Sequence, residues 1–166
     1  NIHFYGIIKK RKSGDLMTEK MKIIDFLREN QLDAIFVQKD ENCRYLSKFT
    51  GSDSYLLLTK EELYLLTDSR YTEQARKEVA DYTVVDYKGH LAEIVAKLAG
   101  EYHIKTMGVE TVFSYQMYLS FHEYMPNIEF RFSQIDRLRQ IKSEEEISCI
   151  KAVSYTHLRA HETEAD

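Results

Sequence analysis

Short runs of Leu, Ile, Val and Tyr alternate with segments of helical period along most of this chain. That alternation predicts an α/β fold, a mixed β-sheet flanked by helices. A second observation sharpens the class. Tyr55–Thr59 and Leu63–Thr67 are apolar runs joined by Lys60-Glu61-Glu62, which reads as a β-hairpin and makes at least one strand pair antiparallel. Third, 166 residues with 43% hydrophobic and 30% charged content suit one soluble domain able to bury its own core. No internal repeat or low-complexity linker interrupts the pattern.

The elements follow in order. Thr18 can cap a helix whose apolar stripe runs through Met21 and Ile24–Leu27 and stops near Asn30. Leu32–Val37 (LDAIFV) is short and apolar, hence a buried strand. A short amphipathic helix leads to Phe49, and Gly51-Ser52-Asp53 breaks the chain before the hairpin. Asp68 stands where an N-cap would, ahead of a helix of about ten residues from Arg70. Tyr82–Tyr87 (YTVVDY) is β-branched and aromatic, as strands are. Leu91, Ile94, Val95 and Leu98 give the i, i+3, i+4, i+7 spacing of a helix that Gly100 ends. Thr106–Val109 is a short strand. Ser114–Met125 reads as a helix stopped by Pro126, the only proline. Ile128–Phe132 alternates apolar and polar residues, the pattern of an outer strand. Beyond it, Ser143 and Glu146 form a capping box with acids at the positive end of the helix dipole. Ile147, Ile150 and Ala152 then begin an apolar stripe.

Both ends read differently from the middle. Residues 1–16 have no period and carry the basic run Lys9-Lys10-Arg11-Lys12. A purine-rich message for Ser13-Gly14-Asp15 would sit where a ribosome-binding site does, so 1–16 is expected to be an upstream, non-native leader and Met17 the true start. The domain is expected over 17–136, and 137–152 to begin a linker helix. Residues 153–166 switch composition abruptly, and VSYTHLRAHET within them is identified as a translated frame of a sequencing adaptor. His157 and His161 there have the i, i+4 spacing of zinc ligands on one helical face, but two imidazoles alone are an incomplete site.

Composition excludes several function classes. The net charge of −4 argues against nucleic acid as a partner, because phosphate binding needs a basic face. No apolar run approaches the roughly 18 residues of a membrane-spanning helix, and Ile2–Ile8 lacks the form of a secretory signal. Cys43 and Cys149 match no disulfide framework or zinc spacing, which predicts reduced thiols and a cytoplasmic location. No nucleophile, metal cluster or phosphate loop stands out, and His90, His103 and His122 fall in three different elements without ligand spacing. Tyr115, Tyr118, Phe121 and Tyr124 crowd one helix. Most aromatics of this kind cover core and sheet, but surplus surface Tyr also suits an interface.

One constellation carries more. Asn42, Arg44-Tyr45-Leu46, Phe49-Thr50-Gly51-Ser52, Leu66-Thr67-Asp68, Arg70-Tyr71 and Gln74-Ala75 are followed by Arg137-Leu138-Arg139-Gln140-Ile141-Lys142-Ser143 and Glu146-Ile147. In order and spacing these resemble the N-terminal domain of the Xaa-Pro peptidases, the aminopeptidase P, prolidase and creatinase family, over roughly Met21 to Ala152. The resemblance implies a ribonuclease-H-like mixed sheet. It also implies a separate C-terminal catalytic domain of pita-bread fold. There, two divalent metals, manganese or cobalt, held by two Asp, one His and two Glu, would activate a bridging water against an X-Pro amide. None of those positions falls in this chain, so the resemblance assigns it no catalytic residue, metal ligand or cofactor of its own.

The partners it implies are that catalytic domain and further copies of the chain, since the family's N-terminal domains commonly mediate dimer contacts. They can also project a loop towards the neighbouring subunit's active site. Phe49, Thr50, Gly51, Ser52 and Arg70 are the candidates for that role. The plain alternative is that Gly51 and Ser52 only make a turn, and that Arg70 only caps or pairs, with Asp68 as its inferred partner. Asp68, Asp81, Asp86 and Glu110 lie near expected strand ends, where ribonuclease-H-like sheets elsewhere hold magnesium. The acidic chain offers no basic groove to accompany such chemistry. Two rival readings stand beside the peptidase one: a stand-alone binding or assembly module, and the N-terminal domain of a relative acting on creatine or another non-peptide substrate.

Overall fold

The computed structural model describes residues 13–144 and 146–154, and only the backbone of 13–18. The basic run at 9–12 and the histidines at 157 and 161 lie outside the described residues. The chain divides into two compact units after Ile135.

In the first unit six strands form one sheet in the order β4-β3-β2-β1-β5-β6. These are β1 (Ala34–Val37), β2 (Ser54–Thr59), β3 (Leu63–Thr67), β4 (Thr83–Asp86), β5 (Thr106–Val109) and β6 (Glu129–Phe132). The helices are α1 (Ser13–Glu29), α2 (Asp40–Ser47), α3 (Thr72–Glu78), α4 (Leu91–Glu101) and α5 (Tyr115–Tyr124). β2 pairs antiparallel with both β1 and β3, while β3–β4, β1–β5 and β5–β6 are parallel. This is the mixed sheet flanked by helices that the sequence predicts, with β6 outermost as its alternating pattern indicates.

Why these strands sit at the centre follows from their composition. β1 (AIFV), β2 (SYLLLT) and β3 (LYLLT) are apolar on both faces, so both must be covered. One face presents Ala34, Phe36, Leu57, Tyr64 and Leu66 to Ala92, Val95 and Leu98 of α4 and Phe121 of α5. Phe36 anchors it, edge-on to Phe121 at 5.0 Å and stacked on Tyr55 at 5.5 Å, contacts worth about 1 kcal/mol each beyond burial. The alternate residues Ile35, Val37, Leu56, Leu58 and Leu65 point to the other face and are fully buried. α1 and α2 pack against β2 and α3 against β3 and β4.

Polar side chains fasten the connections. Thr59 Oγ1 accepts from the N–H groups of Glu61 and Glu62 and donates to Glu62 O, closing the hairpin at Lys60-Glu61-Glu62. Asp33 Oδ2 accepts from the Lys105 and Thr106 N–H groups at the start of β5, and its Oδ1 meets Lys60 Nζ at 3.1 Å. Burial works against the charge on Asp33, yet these donors outweigh it and hold the carboxyl below its ordinary value.

Three helix ends differ from expectation. α1 begins at Ser13, so Thr18 lies inside the helix rather than at its cap. α4 continues through Gly100 to Glu101 and hands its cap to Tyr102, because one glycine at a last turn costs only about 1 kcal/mol. α3 starts at Thr72 with Tyr71 at its N-cap, and is seven residues long. Asp68 instead turns the chain before the helix, its Oδ1 accepting the Arg70 N–H at 2.8 Å.

In the second unit the capping box is reciprocal. Ser143 N–H donates to Glu146 Oε2 at 2.8 Å and Glu146 N–H to Ser143 Oγ at 3.2 Å. Residues 146–154 are helical, with Ile150 and Val153 exposed.

A buried carboxylate joins the sheet to α2. Glu110, at the end of β5, is 3% exposed. Its Oε2 accepts from the Gln38 and Lys39 N–H groups at 2.6 and 2.8 Å, and its Oε1 from Asn42 Nδ2 at 2.5 Å. Lys39 is the N-cap residue of α2 and has no side-chain cap of its own, so Glu110 supplies the negative charge that a helix start favours. Glu110→Ala removes the acceptor for three buried or half-buried donors and is expected to cost about 3 kcal/mol. Glu110→Gln, which keeps one acceptor oxygen, recovers part of that. Urea unfolding of the two variants checks it, and an alanine variant as stable as the parent would contradict the assignment.

Candidate functional site at the 49–52 loop

α2 ends where Lys48 takes a left-handed conformation, φ 62°, and turns the chain back across the sheet. Phe49 follows and is buried, 1% exposed. Ser47 ties the turn, accepting from the Phe49 N–H at 3.1 Å and donating to Cys43 O at 2.7 Å. Gly51 lies over the Phe49 ring. A Cβ there would fall 2.4 Å from Phe49 Cζ, so only glycine lets the loop pass this close.

The exposed part of the loop is held by α3. Thr50 donates to Glu78 through both its N–H and its hydroxyl at 2.8 Å. Gln74 Nε2 bridges to Glu78 Oε1 and Thr50 Oγ1 at 2.8 and 3.1 Å. Ser52 Oγ meets the Tyr71 hydroxyl at 3.1 Å. Burial alone would raise the Glu78 carboxyl, but the donors on Gln74 and Thr50, with the Arg44 charge nearby, draw it below its ordinary value.

Arg70 sits beside this assembly. Its guanidinium pairs with Asp68 through Nε at 2.8 Å and through Nη2, and Nη2 also reaches Asp53 at 3.1 Å. The Asp68 carboxyl is held down chiefly by that side-chain hydrogen bond. Asp53 occupies the left-handed region, φ 51°, a conformation costing a non-glycine residue roughly 1 kcal/mol. Arg70 therefore straps the entrance of β2 to the exit of β3, and its guanidinium lies 5.4 Å from the centre of the Tyr71 ring.

Together these groups line a polar cleft of about 390 Å³: Asp40 and Arg44 from α2, Thr50, Gly51 and Ser52 from the loop, and Tyr71 and Gln74 from α3. Of the five residues the sequence singles out, Thr50, Ser52 and Arg70 are exposed, Gly51 is half-buried, and Phe49 is the pin beneath them. Arg70 stands outside the lining. Glu78 and Asp53 escape the sequence reading, although Glu78 lies one helical turn after Gln74, the spacing at which side chains meet. The Asp68–Arg70 pair inferred from sequence is present.

Ser52 bonds to a phenol, the Tyr71 hydroxyl. Among the described residues no three His, Cys, Asp or Glu side chains converge as metal ligands would. Asp68 is occupied by Arg70, Asp86 accepts from Ser69 Oγ and the Lys88 N–H, and Glu110 holds α2. Cys43 is buried and bonded to the carbonyls of Val37 and Ser54. Burial first, then the Glu110 charge, push its thiol well above the ordinary value and keep it inert. No helix among the described residues is long and apolar enough to cross a membrane.

Residues 21–141, the sheet and the cleft included, match the family described as the creatinase/prolidase N-terminal domain. The chain belongs to that family. It is 32% identical over 143 residues to a Xaa-Pro dipeptidase of Pyrococcus horikoshii, covering 82% of this chain and 39% of that relative. A Xaa-Pro dipeptidase from Bacillus anthracis superposes with a TM-score of 0.76 at 27% identity, over 88% of this chain and 43% of that one. The N-terminal domain of the cytoplasmic peptidase PepQ from Mycobacterium tuberculosis H37Rv superposes with a TM-score of 0.64 at 26% identity, over 70% of this chain and 93% of that one. The chain spans 35–40% of the length of curated relatives it matches.

The depressed Glu78 carboxyl fixes a sign. Its contribution to stability is complete above the unfolded value, near pH 4.5, and is lost as pH falls through the lower folded value. Glu78→Gln is therefore expected to be less stable than the parent by about 1 kcal/mol at neutral pH, with the gap closing below pH 4.5. Urea midpoints measured across pH 3–7 check this, and a gap that persists at the acid end would mean the charge on Glu78 is not what holds Thr50.

Proposed function

We propose that this chain is the non-catalytic N-terminal domain of a cytoplasmic Xaa-Pro peptidase. In that reading it helps assemble the oligomer and restricts access to a metal site carried by a separate catalytic domain. The observation that carries the proposal is the family match over 21–141, in a chain spanning 35–40% of relatives that include Xaa-Pro dipeptidases. The site supports the access role by its chemistry. Thr50, Ser52 and Arg70 form an exposed, polar and already ordered edge, suited to touch a peptide or a neighbouring subunit. The paired divalent metals, manganese or cobalt, belong to the catalytic domain, and no step of the hydrolysis is assigned to residues of this chain.

Three measurements test this. The 166-residue chain, given manganese or cobalt and an X-Pro dipeptide, is expected to release no proline above blank. Turnover abolished by a chelator would overturn the reading. Sequencing the source locus past the codon for Ala152 is expected to show the frame continuing into a domain with the two Asp, one His and two Glu. A frame without them would leave a solitary binding module. In the enzyme so completed, Thr50→Ala with Arg70→Ala is expected to change the kcat/KM ratio between X-Pro dipeptides and longer peptides several-fold, and an unchanged ratio would remove the loop from access control.

A further inference from the structure

Among the described residues β4 and β6 are the outer strands of the sheet, and of the two only β6 carries charges of both signs. Glu129 N–H donates to Lys105 O and Ser133 N–H to Val109 O. In a parallel pair the backbone groups of alternate residues point to opposite sides. Glu129, Arg131 and Ser133 therefore turn theirs towards β5, and Phe130 and Phe132 turn theirs outward. Such an edge is a template for another strand.

Its side chains decide which strand. Glu129 and Arg131 share one face of β6 and pair with each other through two contacts of 2.8 Å. Phe130 and Phe132 share the other face. Phe130 stacks on Phe113 and meets the edge of Tyr118, Tyr118 stacks on Tyr115, and Phe132 and Tyr115 are 56% and 74% exposed. Consider a second β6 laid antiparallel about a two-fold axis through Phe130. Phe130 then faces its own copy in a hydrogen-bonded pair, each Glu129 faces the other copy's Arg131, and each Phe132 faces the other copy's Ile128. Opposite charges meet at both polar positions, and like charges would be penalised there. An axis through Glu129 sets glutamate against glutamate, and one through Arg131 sets arginine against arginine. Of these three axes, charge favours the one through Phe130, the only one that sets Glu129 against Arg131. β4 (TVVD) has no such option, since its single charge, Asp86, has no basic residue in the strand to oppose.

We propose that β6 is a self-association surface, on which two copies of this chain pair antiparallel across Phe130 and join their six-stranded sheets into one. The proposal rests on the assembly half of the proposed function and names its surface, which is separate from the 49–52 loop.

Light scattering on the eluting 166-residue chain is expected to give twice the 19.6 kDa of one chain. Arg131→Glu alone and Glu129→Arg alone are each expected to run as single chains with unchanged far-ultraviolet circular dichroism. Mixing the two variants in equal amounts should restore the doubled mass, because each then supplies the charge the other lacks. A pair confined to one strand would gain nothing from mixing. In the parent, exchange of the Phe130 and Phe132 amide hydrogens should slow as protein concentration rises, a readout that needs no variant. Doubled mass that survives in both single variants would overturn the β6 interface and leave assembly to another face. Failure of the mixture to associate, or exchange at Phe130 and Phe132 that ignores concentration, would also overturn it. A parent that stays a single chain at every concentration would remove the assembly reading along with it.

Discussion

Glu110 is where the sheet and the candidate site become one structure. Its carboxylate gathers the N–H groups of Gln38 and Lys39 and the amide of Asn42, more than seventy residues back along the chain for the two backbone donors. A buried carboxylate is tolerated only when its oxygens are satisfied, and α2 can start at Lys39 only when its unpaired N–H groups find an acceptor. Each requirement meets the other. The direction of α2 is thereby set by the end of β5, and with it the placement of Asp40 and Arg44 on the cleft. Everything to Phe49 follows from that direction, because α2 delivers the chain to the turn at Lys48.

The charged groups around the loop are already engaged before any partner arrives. Arg70 faces two carboxylates, and Glu78 is met by Thr50 and Gln74. An exposed ion pair contributes little to global stability, commonly under about 1 kcal/mol. Its effect here is on shape. Arg70 holds the left-handed Asp53 next to Asp68, which fixes how β2 enters the sheet and how β3 leaves it. A carboxylate from a partner would have to compete with Asp68 and Asp53 for that guanidinium. Thr50, Ser52 and Arg44 line the cleft, where the two hydroxyls already bond to Glu78 and Tyr71, so a partner reaching those hydroxyls exchanges hydrogen bonds and leaves the Arg70 ion pairs intact.

Much of this was legible in the sequence because the signals are local. The hairpin shows in two apolar runs around Lys60-Glu61-Glu62, β6 shows in its alternation, and Ser143 with Glu146 announces a helix start. The Asp68–Arg70 pair is two residues apart and could be inferred by proximity. The rest depends on distance or on shape. A carboxylate after a strand, such as Glu110, reads equally as a metal ligand, and nothing nearby in the chain names its true partners at 38, 39 and 42. Gly51 reads as a turn glycine, and only the packed structure shows the Phe49 ring beneath it. The start of α3 was misplaced because an Asx-type turn and an N-cap demand the same residue. In both, an Asp side chain accepts a backbone N–H two or three positions ahead, and the choice is made by whether the chain has already bent around Arg70.

Preformed geometry bears on how a domain of this kind acts through a loop. A flexible segment that orders on contact gives up conformational freedom at that moment, roughly 1–2 kcal/mol per residue fixed. Residues 49–52 have settled that cost during folding: Phe49 is buried under Gly51, Thr50 has three acceptor contacts on Glu78, and Ser52 is joined to Tyr71. Contact energy at Thr50 and Ser52 is then available for affinity or discrimination instead of ordering. The same rigidity makes the loop a poor lid, because lifting it would strip Glu78 of its donors and pull Phe49 from the core. In the proposed access role the loop would therefore act by exclusion, as a fixed polar rim that shorter chains pass and longer ones meet.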